Sequence, residues 1–421
     1  MRSTLSRTFR ALRHRNFRLF FIGQGLSLIG TWLQQVAMGW LTYRLTGSAL
    51  LLGVVAFCAN LGILLFSNVA GVLADRIDRR RGLIVIQSLM LTQAIVLATL
   101  TALGAIEPWH LIVLALWLGT CSAFDVPLRQ ATYVHFVADR ADLPNAIALN
   151  SFLVNAARAV GPAIAGMLIA LTSEAVCFAL NALSFVAVIV ALAMMRWSSE
   201  RHARSSASWW SSWIEGAHYA GGFAPARVLL TLVAALAWTI TPYTSLMPVY
   251  AKDIYGGGPH TLGWLLSAAG CGALLSTAYL ASRVSVRGLG RVIVAAAATA
   301  SLALSAFAYL RIYAIGLALM VLVGSGLVLA AASANTILQT IVEDRLRGRI
   351  AGFYVLAFLG MAPLGNLAAG ALAAAVGAPL TFLLNGLLGA TAALWFWRRL
   401  PLVREALRPI YRDLGIIREK S

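Results

Sequence analysis

Residues 71–81, Gly71-Val72-Leu73-Ala74-Asp75-Arg76-Ile77-Asp78-Arg79-Arg80-Arg81, set two acids and four arginines between two long apolar runs. An unpaired charge costs several kcal/mol in hydrocarbon, so such a cluster belongs in water at a membrane face. Two other places put charge inside apolar runs. Asp125 and Arg129 stand four residues apart, a spacing that lets them pair along one helical face. Ser151, Asn155, Arg158 and Pro162 follow at steps of 4, 3 and 4, again one face of a helix. Pro162 has no N–H, so the carbonyl of Arg158 loses its helical donor. A buried carboxyl beside arginines is what a proton-coupled carrier needs, because its charge can be neutralised during a cycle. Asp125, exchanging between a proton and Arg158 or Arg129, is the candidate coupling group. A permanent Asp125–Arg129 pair closing one side of a bundle fits the same residues, and the Arg158 run also fits a simple kink with close packing.

Enzyme chemistry finds no support. The six histidines never fall four residues apart, so no His-Glu-x-x-His metal site exists. No Gly-x-Ser-x-Gly elbow is present. The glycine pairs Gly23/Gly25 and Gly324/Gly326 lack a third glycine for a dinucleotide loop and read as helix-packing positions. No lysine follows a glycine, which excludes a phosphate-binding P-loop. Cys58, Cys121, Cys177 and Cys271 lie unpaired in apolar runs and read as small packing residues. No cofactor and no metal is expected.

The elements that position these residues follow from composition. Of 421 residues, 60% are hydrophobic and 11% charged, with mean hydropathy +0.82. A soluble protein carries roughly 25% charged residues, so this is a polytopic membrane protein. A span needs about 20 apolar residues, and twelve candidates read as 18–42, 48–74, 83–104, 109–131, 145–170, 174–196, 226–250, 260–282, 291–310, 312–336, 350–376 and 378–400. Of the 33 lysines and arginines, 29 fall on one side of that arrangement. The positive-inside rule then places both termini in the cytoplasm. It also accounts for the net charge of +18 without nucleic acid, leaving anionic lipid headgroups as the neighbours. An internal repeat at an offset of 204 residues pairs Ala165-Gly166-x-Leu168-x-Ala170 with Ala369-Gly370-x-Leu372-x-Ala374, and Phe178-x-Leu180-Asn181 with Phe382-x-Leu384-Asn385. Spans 5 and 6 therefore correspond to spans 11 and 12 in parallel orientation. The expected organisation is a cytoplasmic N-terminus (1–17), a six-helix half (18–196), a cytoplasmic linker (197–225), a second half (226–400) and a tail (401–421). In the linker, Trp209, Trp210, Trp213 and Ile214 share one face. They suit a helix lying at the membrane interface, or a loop whose tryptophans anchor span 7.

The 71–81 cluster resembles the Gly-x-Leu-Ala-Asp-Arg-x-Gly-Arg-Arg signature of the major facilitator superfamily, with Asp78 where most members have glycine. The Asp-Arg-Ile-Asp-Arg-Arg form is similar to the exporter branch that includes the enterobactin exporter and macrolide-efflux proteins. Arg158-x-x-Gly161-Pro162-x-x-Ala165-Gly166 resembles the antiporter motif of facilitator exporters, departing where Ala157 and Ala165 replace glycines. The resemblance implies an all-α membrane protein of twelve transmembrane helices in two parallel six-helix halves. It implies a conformational latch at Gly71, Asp75, Arg76, Arg79 and Arg80, and a central cavity lined by spans 1 and 7. On those spans Gln24, Thr31 and Gln35 share a face, and Trp238, Thr241, Tyr243 and Thr244 follow in the second half, with Asn155 nearby on span 5. Helix–helix hydrogen bonding explains the same polar residues. The function expected is proton-coupled export of an amphipathic small molecule, a siderophore or drug, by a monomer in the bacterial inner membrane. The alternatives are a lysophospholipid or other lipid carrier, an uptake facilitator, or a non-transporting membrane receptor.

Overall fold

Long apolar runs poor in charge can satisfy their backbone in hydrocarbon as helices, and the computed structural model shows them as such. It describes residues 10–74, 77–136, 139–195, 218, 221–283 and 285–413. The tryptophan cluster at 209–214 lies outside those residues. In chain order the helices are α1 (Arg15–Thr46), α2 (Ala49–Ala74), α3 (Arg79–Ala102), α4 (Pro108–Phe136), α5 (Leu143–Leu171) and α6 (Glu174–Met194). After the linker come α7 (Ala224–Ile254), α8 (Pro259–Ser282), α9 (Leu289–Phe307), α10 (Tyr313–Ile341), α11 (Leu346–Val376) and α12 (Ala378–Asp413). Among the described residues eleven of these are long and apolar enough to cross a membrane. The twelfth, α1, is the most amide-rich, with Gln24, Gln34 and Gln35. The repeat falls where it was read, since Glu174 opens α6 and Ala378 opens α12.

Three boundaries differ from expectation, each for a local reason. The seventh span is a broken helix: Pro242, without an N–H, interrupts it after Ile240, and a π-turn over Tyr250–Ile254 extends it. That extension puts a further acid within the spans, in addition to Asp125, because Asp253 sits in the last turn of α7. The tail is not wholly separate from the bundle. Helix α12 continues to Asp413, burying Val403, Leu407 and Tyr411, and Leu400 closes over Gly290.

Contact clustering gives two units, one of residues 1–204 with 251–267, the other of 205–250 with 268–421. The first is built on small residues that let backbones touch. A Cβ on Gly62 of α2 or Gly119 of α4 would overlap the opposite backbone, so glycine is required at that crossing. Its buried amides form a ladder. Asn181 donates to Gln34 at 2.7 Å, Gln34 to Gln93 at 3.0 Å, and Gln93 to the carbonyl of Leu114 at 3.1 Å. That ladder ties α1, α3, α4 and α6 together, with each link worth about 1 kcal/mol in a membrane. In the second unit Tyr250 stacks on Phe382 at 4.6 Å and donates to the carbonyl of Ala308 at 2.9 Å. There Gly324 meets Ala269 of α8 and Gly326 meets Ala296 of α9, so this glycine pair packs two neighbours at once.

Ahead of α1, a 3-10 turn at Arg10–Arg13 docks on the short connection before α5. Asp142 there is fully buried, and it takes Arg10, Arg13 at 2.7 Å and His14 Nε2 at 2.8 Å. The amide of Ala11 donates to Asn145 Oδ1 at 2.9 Å. The hydrogen bond from His14, joined by the charges of Arg10 and Arg13, holds the Asp142 carboxyl below its usual range against the opposing effect of burial. A lowered carboxyl pKa contributes stability that is complete above the unfolded value of about 3.9 and is lost as pH falls through the folded value. The clasp should therefore be intact at neutral pH and open only in acid. Asp142→Asn should open it at neutral pH, read as faster hydrogen exchange at the Ala11 amide. Unchanged protection there would show that the clasp does not depend on the carboxylate.

Candidate functional site

The charged loop between α2 and α3 shows why its departure from the superfamily pattern is tolerated. Asp78, with φ −63°, caps α3, accepting from the amide of Arg81 at 2.9 Å. A side-chain cap of this kind is worth about 1 kcal/mol, and the backbone there needs no glycine. Arg80 donates to the carbonyl of Ala193 at 2.6 Å, in the last turn of α6, where carbonyls lack helical partners. Gly71 lies in the last turns of α2, and Arg79 opens α3. Asp75 and Arg76 lie outside the described residues, so the latch expected of them is not placed.

Asp125 is buried in α4. Arg129, one turn on, pairs with one carboxylate oxygen, and Gln87 of α3 donates to the other at 2.7 Å. Of the two partners that the sequence allowed, this structure has Arg129. Gln87 was missed, although an amide in an apolar run was the signal: Gln87 and Gln93 are the two glutamines of α3, and both are fully buried. The group is a carboxylate held by a charge and an amide, with side-chain exposures of 8% for Asp125 and 15% for Arg129.

Arg158 lies midway along the 29 residues of α5 and is half-buried. Among the described residues it has no hydrogen-bond or ion-pair partner. Asn155 donates to the carbonyl of Ser151 at 2.8 Å. The glycines of the neighbouring motif are fixed by packing. A Cβ at Gly161 would overlap Trp32 of α1, and one at Gly166 would overlap the Pro259 carbonyl and Gly263 of α8. The carbonyl of Pro162 lies against Gly263 in turn, while the amide of Ala163 donates to Ser267 Oγ at 2.8 Å. On α1, Gln24 is buried with its Oε1 unsatisfied, Thr31 is exposed and donates to the carbonyl of Ser27, and Gln35 is exposed. In the second unit, Trp238 and Trp395 line a largely apolar cavity of about 620 Å³ with Thr231, Met361, Leu388 and Thr391. The half-buried Tyr243 stands just past the break in α7 and is not in that lining.

Two further contacts were also missed. Arg44 Nε, at the end of α1, meets Glu174 Oε1 at 2.8 Å. Tyr43 hydrogen-bonds Asp253, and Lys252 lies 5.5 Å above its ring. Residues 43 and 253 are 210 positions apart, and no periodicity carries such a pairing.

Removing the cation from the α4 pair should cost more than removing the charge of the anion. Arg129→Ala leaves a buried carboxylate with only an amide, and breaking such a pair costs about 3 to 5 kcal/mol. Asp125→Asn with Arg129→Gln removes both charges and should recover most of that loss. Thermal unfolding of the purified variants measures the order, and equal losses in Arg129→Ala and the double variant would count against the pair.

Over residues 6–412 the chain matches the family described as transmembrane secretion effector. It is similar to the staphyloferrin A transporter of Staphylococcus aureus, at 25% identity over 88% of this chain and 92% of that one. It is also similar to the multidrug efflux pump Tap of Mycolicibacterium fortuitum, at 28% identity over 84% and 88%. Among solved structures, a bacterial homologue of the human lysosomal transporter Spinster superposes with TM-score 0.71 at 12% identity, covering 94% of this chain and 98% of that one. A bacterial metal transporter gives 0.65 at 17% identity, over 91% and 98%. These two likenesses concern the fold alone. With twelve long helices, no catalytic constellation in its sequence and a family match over nearly its whole length, the chain belongs to the transmembrane secretion effector family of the major facilitator superfamily, which comprises transporters and not enzymes.

Proposed function

We propose that this protein exports an amphipathic small molecule, a siderophore or a drug, by alternating access driven by proton return. The observation that carries the coupling is Asp125, a carboxylate buried in a membrane helix and held by Arg129 and Gln87. Gln87 can stay bonded to the carboxyl group whether or not it holds a proton. The two curated relatives, named for a siderophore and for drug efflux, support the substrate class. In this reading the protein is a monomer of the bacterial inner membrane with both termini cytoplasmic. Asp75 and its neighbouring arginines form a latch on the cytoplasmic side. Gln24, Thr31, Gln35, Asn155, Trp238 and Tyr243 contact substrate. A second reading, a lysophospholipid or other lipid carrier, draws its support from the open apolar groove beside Trp238, against which an acyl chain could lie.

Accumulation of labelled siderophores, drugs and lysophospholipid in everted vesicles, with and without a proton gradient, separates these readings. Gradient-dependent accumulation of a siderophore or drug is expected, and accumulation of lysophospholipid alone would favour the second. Asp125→Asn mimics the protonated form permanently. It should abolish gradient-driven export while leaving substrate exchange between the two sides, and wild-type pH dependence in that variant would remove Asp125 as the carrier. Topology is checked by reporters. One fused after Ser421 should be cytoplasmic and one at Lys252 external.

A further inference from the structure

Arg158 is a cation at the middle of a membrane helix, and within the described part of the first unit the acids are already committed. Asp125 is held by Arg129 and Gln87, Glu174 by Arg44, Asp142 by Arg10, Arg13 and His14, and Asp253 by Tyr43. A guanidinium does not shed its proton at any relevant pH, so Arg158 cannot escape the cost of its position by becoming neutral. Intramembrane arginines are kept where they meet a counter-charge or a water-filled cavity.

The surroundings of Arg158 follow from the packing of α5 on α1. Trp32 lies against Gly161, and Leu153 reaches Gly25, so the two helices run in the same direction across this seam. One residue turns an α-helix by about 100°. Thr31 and Gln24 each precede a seam residue by one position, and Arg158 precedes Gly161 by three, which is a rotation of about 60° the other way. Helices that run in the same direction but face each other bring opposite rotations to the same side of their seam. Gln24, Thr31, Gln35, Asn155 and Arg158 therefore line one side. In height Arg158 stands about 8 Å above Gln24 and about 3 Å below Thr31, at 1.5 Å per residue. Gln24 is 7% exposed, and its Oε1 has no partner among the described residues. A buried acceptor left unpaired costs about 1 to 3 kcal/mol. The same side of the seam thus holds an unanswered cation and, one and a half helical turns away, an unanswered acceptor.

We propose that Arg158 anchors an anionic group of the carboxylate class on the transported molecule, and that Gln24 accepts a hydrogen bond from a donor on the same molecule. This rests on the export reading for its setting and narrows it, giving an amphipathic acid as the substrate class. A guanidinium suits a carboxylate because its N–H groups form a fork that both oxygens can meet.

The test is binding by the purified full-length protein in nanodiscs of zwitterionic lipid. The probes are dansyl-leucine and its methyl ester, which differ by the one negative charge. Wild type should bind the acid about 10-fold tighter than the ester, as a charge-assisted hydrogen bond provides. Arg158→Gln should bring the acid down to the affinity of the ester while leaving ester binding unchanged, which also reports that the variant is folded. Arg158→Lys should keep part of the preference, and Gln24→Leu should weaken both probes alike. No saturable binding of the acid by wild type, no preference for it, or a preference that survives in Arg158→Gln would overturn the proposal. Export is read separately in everted vesicles. A selective site with no export would leave the anion site standing and remove the export reading, while export of neutral molecules alone, without acid preference, would do the reverse.

Discussion

Charge inside hydrocarbon must be paired or wet, and the placement of this protein's few acids follows from that. Asp125 sits on Arg129 and Gln87, and Glu174 sits on Arg44. Asp253 meets Tyr43, and Asp142 gathers two arginines and a histidine. Each of these contacts lies at a helix end or ties one helix to another, so the residues that cost most to bury also fix how the helices meet. Uncharged polar groups obey a weaker form of the same rule, and the Gln34–Gln93–Asn181 ladder satisfies its amides with one another. Arg158 is the exception, and its exception is informative because the rule is kept elsewhere in the same unit.

The internal repeat sharpens that contrast. Asn181 and Asn385 are repeat partners, but their surroundings differ. Asn181 donates to Gln34, whereas Asn385 is buried with its Nδ2 unsatisfied among the described residues. The offset of 204 carries Gln34 onto Trp238, so an amide that closes the ladder in the first unit is replaced by an indole beside an apolar cavity in the second. The backbone plan is shared and the chemistry is not. The first unit concentrates ion pairs and amides, while the second packs Tyr250, Phe307 and Phe382 together in its core and carries an apolar groove beside Trp238.

The fold was legible in the sequence because its signals are local. Apolar runs of span length, turns rich in arginine and a repeat at a fixed offset each declare themselves within a few tens of residues. The small-residue pairs were readable as packing positions, and Gly324 and Gly326 do pack against α8 and α9. The candidate site was legible only in part. Asp125 and Arg129 could be paired from a spacing of four, because one helix fixes their distance. Gln87 could not, because its place beside Asp125 depends on how α3 rotates against α4. Tyr43 with Asp253 and His14 with Asp142 are hidden for the same reason. The break in α7 had a visible cause in Pro242, yet the π-turn at Tyr250–Ile254 had none that periodicity could show.

The separation of Asp125 from Arg158 bears on how such a carrier avoids neutralising itself. Had the carboxylate taken Arg158 as its partner, an incoming anion would have to displace it, and the substrate and the carboxylate would compete for one cation. In this structure the carboxylate has its own arginine one turn away and its own amide on α3. That leaves Arg158 on α5 without a claim on it from the described acids of the same unit. On the reading proposed above, two cations serving two anions allow a proton on Asp125 and a substrate on Arg158 to be bound at once or in turn. Coupling then has to pass through the helices that carry them, α4 and α5, and not through a shared contact. Such coupling works only if the helices have two discrete arrangements that both sites bias. The backbone-to-backbone contact of Gly62 on α2 with Gly119 on α4 is where sliding of α4 would meet the least side-chain obstruction.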